Sequence, residues 1–381
     1  MESMMQNRLK KSMSILSATK KRKVFCLLIV FYFAALIFAA NDAWLYKTPV
    51  VKVTEAHTEK ARTAQAARGK KEVYYKQVLH GVVLNGKWKN RNITLRNEYS
   101  SSGVLNQKYR KGDRILASVN GQAQTGSVEG LKRDVHLIAL IGALFILLIF
   151  VTEKKGILTI CTVVVNLGIF TLGFSQFLKG EDILKTCNIM SVLFAVGTLL
   201  LLNGFNKKTL AAIISTLCVL AVIMGIFDVV TAHTEAMDYS TMEYLGSLDN
   251  PDDLFRAEVM LAGLGAIMDV AVTISAALGE IIHKNPQVTF LQLFHSGREI
   301  GYDIMGTMMN VLLFVFGCGL IPTFLIRMNN EVRFLTIVRL HIPYEICRFL
   351  IESIGIVLAI PITILIASLF MKLRLQAGGK K

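Results

Sequence analysis

Charge is scarce in this chain. Asp, Glu, Lys and Arg make up 18% of its 381 residues, while 53% are hydrophobic. A soluble globular domain carries roughly 25% charged residues, so this composition argues against one. Paired cysteines are missing too. Cys26, Cys161, Cys187, Cys218, Cys318 and Cys347 form no CxxC pair and lie in or beside apolar runs, which gives no disulfide framework and no thiolate metal site. The seven histidines show neither HExxH nor any other ligand spacing. Asn206-Lys207-Lys208-Thr209 lacks the glycine-rich cradle of a phosphate loop, and there is no nucleophile elbow. The expectation is a non-enzyme with no metal and no cofactor.

What the chain has is apolar length. Runs near 20 residues are long enough to cross a bilayer. Eight are predicted, at about 24–40, 135–151, 156–178, 187–202, 209–232, 258–282, 304–326 and 346–371. They are expected to be helices, because an open sheet cannot satisfy its backbone in lipid. The fold class is therefore an all-α polytopic membrane bundle of about eight transmembrane helices, with a small extracytoplasmic mostly-β domain after the first helix.

Four regions follow. Residues 1–23 are a basic cytoplasmic N-terminus, and 24–40 an uncleaved membrane anchor. Residues 41–133 are the basic outer β domain, and 134–381 the helical membrane domain. Orientation comes from the short loops, where inner segments hold 17 Lys/Arg and outer ones 6, putting both termini in the cytoplasm. Within the outer domain, VYYKQVLHGVVL, NITLRNEY and DRILASV alternate with turn sequences such as NGKWKNR and VNGQ, the pattern of a small barrel or sandwich. Residues 55–71 are polar and alanine-rich and are expected to be a short helix or a flexible lead. This domain carries 18 Lys/Arg against 7 Asp/Glu, a net +11. Membrane lipids surround the helices, and an anionic lipid or cell-wall polymer is the expected partner of residues 41–133. Nucleic acid is not expected on the outer side. Residues 286–303 suggest an interfacial helix.

The membrane part carries one conspicuous pattern. Glu258, Ala262, Gly265, Asp269, Thr273, Ala276 and Glu280 recur at spacings of three and four, which is one helical stripe. Its three carboxylates are eleven residues apart, about 16 Å along the axis. A carboxylate at the depth of Asp269 costs about 2.5–3.5 kcal/mol on insertion scales, so it is expected to face the bundle interior or water. Asp303, Thr307 and Asn310 share a face of the next helix. Arg348 lies between Glu345 and Glu352 at helical spacing, which suggests local pairing. The candidate ion path is therefore Asp269, Glu280, Asp303, Asn310 and Glu258. The acidic segment from Glu235 to Asp253 reads either as a cation-collecting vestibule or as a solvated loop.

Three strings in the membrane part are distinctive. They are Leu202-Asn203-Gly204-Phe205-Asn206-Lys207-Lys208-Thr209, Gly265-Ala266-Ile267-Met268-Asp269-Val270-Ala271, and Gly301-Tyr302-Asp303-Ile304-Met305-Gly306-Thr307-Met308. Together they resemble the YibE/F family of bacterial multi-pass membrane proteins. The outer segment, with its Arg-Lys-Gly-Asp-Arg, resembles the soluble part of YibE-type members. Where a family-like Ser-Ala-Leu-Asn-Glu would stand, this chain has Ser275-Ala276-Ala277-Leu278-Gly279-Glu280. The resemblance implies a bacterial cytoplasmic membrane and no particular reaction. Two functions are expected from the residues. One is a secondary transporter or channel-like permease for a cation or proton-coupled solute. The other is a non-transporting envelope scaffold whose basic outer domain holds anionic wall or lipid groups.

Overall fold

The computed structural model describes residues 23, 25–65, 71–103, 105–120, 124–233 and 250–378. The part of the acidic segment from Glu235 to Asp249 lies outside them. The chain divides into two units, Met1–Ile157 and Leu158–Lys381.

In the first unit, helix α1 (Phe25–Asn41) leads into five strands and then helix α2 (Asp134–Thr152). The strands are β1 (Val50–Gln65), β2 (Lys71–Val83), β3 (Asn92–Ser100), β4 (Arg114–Asn120) and β5 (Thr125–Leu131). They close in the order β1-β2-β3-β5-β4, with β3 and β5 parallel and the other pairs antiparallel. That strand plan is the five-stranded Greek-key barrel of OB domains. Alternate residues turn inward, as the twofold period of a strand requires. Val51, Val53, Leu79, Ile93, Leu95, Ile115 and Ala117 thus meet in one core. At Gly126 an added Cβ would lie 2.3 Å from the Ser118 carbonyl oxygen, so the close pairing of β5 on β4 requires glycine there.

The expectation of a helix or flexible lead over 55–71 is corrected for 55–65, and residues 66–70 lie outside the described ones. Residues as far as Gln65 continue β1, in register with β2 from Gln65↔Lys71 down to Val51↔Val83. The ladder overrides the helix propensity of the alanines. Arg62 adds a stacking contact, its guanidinium 4.4 Å from the Tyr74 ring centre.

The barrel is tied to its helices by Lys132. Its side chain is fully buried and lies 2.5 Å from carboxylate oxygens of both Asp42 and Asp134. It also donates to the Ala39 carbonyl at the end of α1, at 2.6 Å. Burial works against the ammonium, but the hydrogen bonds and charges of Asp134 and Asp42 outweigh it, and the Lys132 pKa is raised. Burial and the Asp134 contact together raise that of Tyr46.

The second unit holds most of α3 (Lys154–Phe177), then α4 (Ile183–Asn203), α5 (Lys207–His233), α6 (Pro251–Lys284), α7 (Phe290–Asn329) and α8 (Phe334–Gly378). Helices α2 to α7, and Ile342–Met371 of α8, are seven segments long and apolar enough to span a membrane; α1, at 17 residues, is apolar and shorter. The polytopic fold class with its small β domain holds. The interfacial helix expected at 286–303 is corrected, because residues from Phe290 onward are the opening turns of α7. Its start is fixed by a capping box between Thr289 and Gln292, and Leu293, Gly297 and Gly301 are buried. Packing, not amphipathicity, decides that segment.

Candidate functional site

Helices α5, α6 and α8 form the packed centre of the second unit. Ile223, Phe227, Phe255, Leu264, Ile267, Ile356 and Ile360 are all nearly inaccessible. Two glycines set the spacing. A Cβ on Gly355 of α8 would lie 2.3 Å from Ile223 Cδ1, so α8 reaches α5 only because that side chain is absent. Gly263 of α6 leaves the Glu352 stem in ordinary contact, 3.5 Å from where its own Cβ would be.

Between α6 and α8 this packing holds a charge cluster that is buried at Glu352 and half-buried elsewhere. Arg348 is its centre. Its Nη1 donates to Glu258 Oε1 of α6. Its Nη2 lies 2.7 Å from Glu345 Oε2, and its Nε lies 3.8 Å from Glu352 Oε1. Glu345, Arg348 and Glu352 share a face by their helical spacing; Glu258 arrives from the neighbouring helix. Tyr344 donates its hydroxyl proton to the other oxygen of Glu258. Phe255 lies on Tyr344 with ring centres 4.2 Å apart, and Phe227 meets Phe255 edge-on at 5.3 Å. These rings shield the cluster from within the bundle.

Three carboxylates share one guanidinium here. The Glu352 side chain is 8% exposed, and its Oε1 accepts no hydrogen bond among the described residues. Burying unbalanced charge is costly. Uptake of one positive charge would relieve the excess. The described acids do not converge as metal ligands do, since no group of three or more His, Cys, Asp and Glu is placed to hold a metal ion. A proton suits this geometry better than a metal ion.

Of the five residues singled out by sequence, only Glu258 enters this cluster. The stripe does not line an interior. Ala262, Gly265, Asp269, Thr273, Ala276 and Glu280 are all exposed on this chain. Of the two settings expected for Asp269, bundle interior or water, the interior of this chain's own bundle is not the one found. The opposite face of α6, with Leu264, Ile267, Ile274 and Leu278, takes the core contacts because it carries the larger apolar side chains. The Asp269 carboxylate has no partner among the described residues, and Thr273 bonds only its backbone oxygen. Glu280 pairs with Lys208 of α5 at 2.8 Å, and that charge holds its carboxyl in place at a helix end. Gly279 makes the pairing possible, since a Cβ there would lie 2.3 Å from Lys208 Cε. Asp303 and Asn310 are exposed on α7, and Asn310 bonds the Gly306 carbonyl of its own helix. Asn166 and Thr198 exchange hydrogen bonds at 3.0 and 3.2 Å, joining α3 to α4.

Sequence reasoning treated Glu345, Arg348 and Glu352 as a local pairing and placed Glu258 at the end of a stripe. The signal that could have joined them is depth. Glu258 lies seven residues inside α6, and Arg348 six residues past Ile342, which is roughly 10 Å in each case.

Two sequence profiles match the chain. One, described as YibE/F-like protein, covers residues 140–373. The other, described as YibE/F family N-terminal domain, covers 44–131. No curated protein and no solved structure gave a match.

Proposed function

The chain belongs to the YibE/F family, and we propose that it is a proton-coupled permease for a small solute or cation, set in a bacterial cytoplasmic membrane with both termini inside. The observation that carries this reading is the cluster of Glu258, Glu345 and Glu352 around Arg348. Ionisable groups within membrane spans are costly and are kept where they do work. Here the acids outnumber the base, and one carboxylate oxygen on Glu352 is buried without a hydrogen bond. A proton arriving on Glu352 would cancel one surplus charge and loosen the hold on Arg348. The guanidinium would then stay with Glu258 and Glu345, bridging α6 and α8. A change of charge at a helix–helix contact is a local event that two packed helices can convert into movement.

Asp269, Asp303 and Asn310 keep a place in this reading as groups on outward faces of α6 and α7. A carboxylate at the depth of Asp269 is costly against lipid, so those faces are expected to be covered or wet in the membrane. The test is flux in proteoliposomes under proton and cation gradients, comparing the parent with Glu352→Gln. Loss of flux in a variant that keeps its thermal midpoint supports the reading. Unchanged flux in that variant excludes the cluster as the coupling site.

A further inference from the structure

The barrel carries a site unconnected with the membrane cluster. Thr54 to Thr58 of β1, Gln77 of β2 and Lys108 to Lys111 of the β3–β4 loop line an open cleft of about 570 Å³. That is within the range of small-ligand sites. The loop is held from beneath by two buried amides. Gln77 Nε2 donates to the Tyr109 carbonyl at 2.8 Å, and its Oε1 accepts from the Tyr109 N–H at 3.1 Å. Asn97 Nδ2 donates to Gln77 Oε1 and to the Gln107 carbonyl, at 3.2 and 3.0 Å. Tyr109 is thereby buried at 4% exposure, while Lys108, Arg110 and Lys111 stand exposed on either side of it.

The charge of the cleft is one-sided. No carboxylate pairs with the side chains of Lys108, Arg110 or Lys111 among the described residues. Glu55 is the acid in the lining, and it lies 3.7 Å from His57 Nε2. Asp113, the last residue of the loop, accepts from the Arg110 backbone N–H at 2.7 Å. Three fixed cations thus face one lining carboxylate, on a domain whose net charge is +11 by 18 Lys/Arg against 7 Asp/Glu.

Position selects the kind of anion. The helix-proximal end of the barrel is where Val51 pairs with Ile115 and Ile115 with Leu131, close to Lys132. Thr54 to Thr58 lie three to seven residues further along β1, roughly 10–23 Å away. Electrostatic attraction to a lipid surface fades within about 8–10 Å at ordinary salt, so a headgroup is poorly placed to use the cleft. Nucleic-acid grooves add exposed aromatic rings on which bases stack. Here the tyrosine is the buried anchor of the loop, and the exposed ring is His57.

We propose that this cleft binds a soluble anionic polymer whose phosphodiester-linked backbone carries no bases, its successive charges met by Lys108, Arg110 and Lys111. The guanidinium fork suits two phosphate oxygens, and the lysines act as point charges. The OB-type barrel is a scaffold that binds extended polymers.

The test uses the full chain in phosphatidylcholine nanodiscs and fluorescent poly(glycerol phosphate) as probe. Binding should weaken by at least about tenfold between about 50 and about 200 mM salt. The triple variant Lys108→Gln, Arg110→Gln, Lys111→Gln should bind at least about tenfold more weakly with an unchanged thermal midpoint. Lys87→Gln with Lys89→Gln, outside the cleft, should leave binding as in the parent. Parent-like binding by the triple variant overturns the proposal. So does tighter binding of a thymidine oligonucleotide through the same residues, or capture of phosphatidylglycerol vesicles that the triple variant loses.

Discussion

Two cations, the buried Lys132 and the half-buried Arg348, organise the two units, and each can be tested by removal. Lys132 is the simpler case. Its pKa is raised above the ordinary 10.5, so the stability it contributes is complete below that value and is lost as pH climbs through the raised one. Deprotonation of Lys132 should loosen the barrel–helix junction in alkali. Lys132→Gln should remove that contribution at every pH, lowering stability by about 3–5 kcal/mol, the cost of leaving buried carboxylates without their cation. A thermal midpoint equal to the parent's at neutral pH would show the junction does not depend on it. At Arg348 the two sides of the ion pair should behave oppositely. Arg348→Gln leaves three carboxylates without their shared cation and should cost about 1–3 kcal/mol, since Glu258 and Glu345 stay partly open to water. Glu352→Gln removes surplus charge, so its midpoint in detergent should match or exceed the parent's. A large loss in Glu352→Gln would mean that the cluster has no excess of acid.

Helix and strand existence was largely legible in the sequence, because apolar length and twofold alternation are strong local signals. VYYKQVLHGVVL, NITLRNEY and DRILASV are β2, β3 and β4. The failures came where a distant partner decides. Residues 55–65 look polar and alanine-rich on their own and become a strand only against β2. Residues 290–303 look amphipathic and become the start of α7 because Gly297 and Gly301 fit Ile364 and Ile360 of α8. The stripe on α6 is a true helical face, but periodicity cannot say whether a small-residue face is covered or exposed. Close approach at glycine is the device the sequence hides best. Gly355→Leu should force α8 from α5 and cost about 1–3 kcal/mol by overpacking. Gly306→Ala, with nothing within 4 Å of the new carbon, should be neutral or stabilising by up to about 1 kcal/mol. Equal melting of the two variants would mean that the α5–α8 contact is loose.

At the scale of the whole molecule, a basic OB-type barrel and a helical membrane unit lie on one chain of the YibE/F family. The barrel carries exposed cations, and the helices hold a surplus of acid around one arginine. The candidate site was half legible. Glu258, Glu345, Arg348 and Glu352 were each conspicuous as charges in apolar runs, but their meeting depends on the α6–α8 crossing, which no local pattern encodes. The central claim is that this cluster takes up and releases a proton during transport. Pre-steady-state currents after a pH jump, recorded from proteoliposomes on a solid-supported membrane, test it most directly. The parent should give a transient charge displacement, and Glu352→Gln, with its midpoint intact, should give none. A full-sized transient in Glu352→Gln would contradict the account.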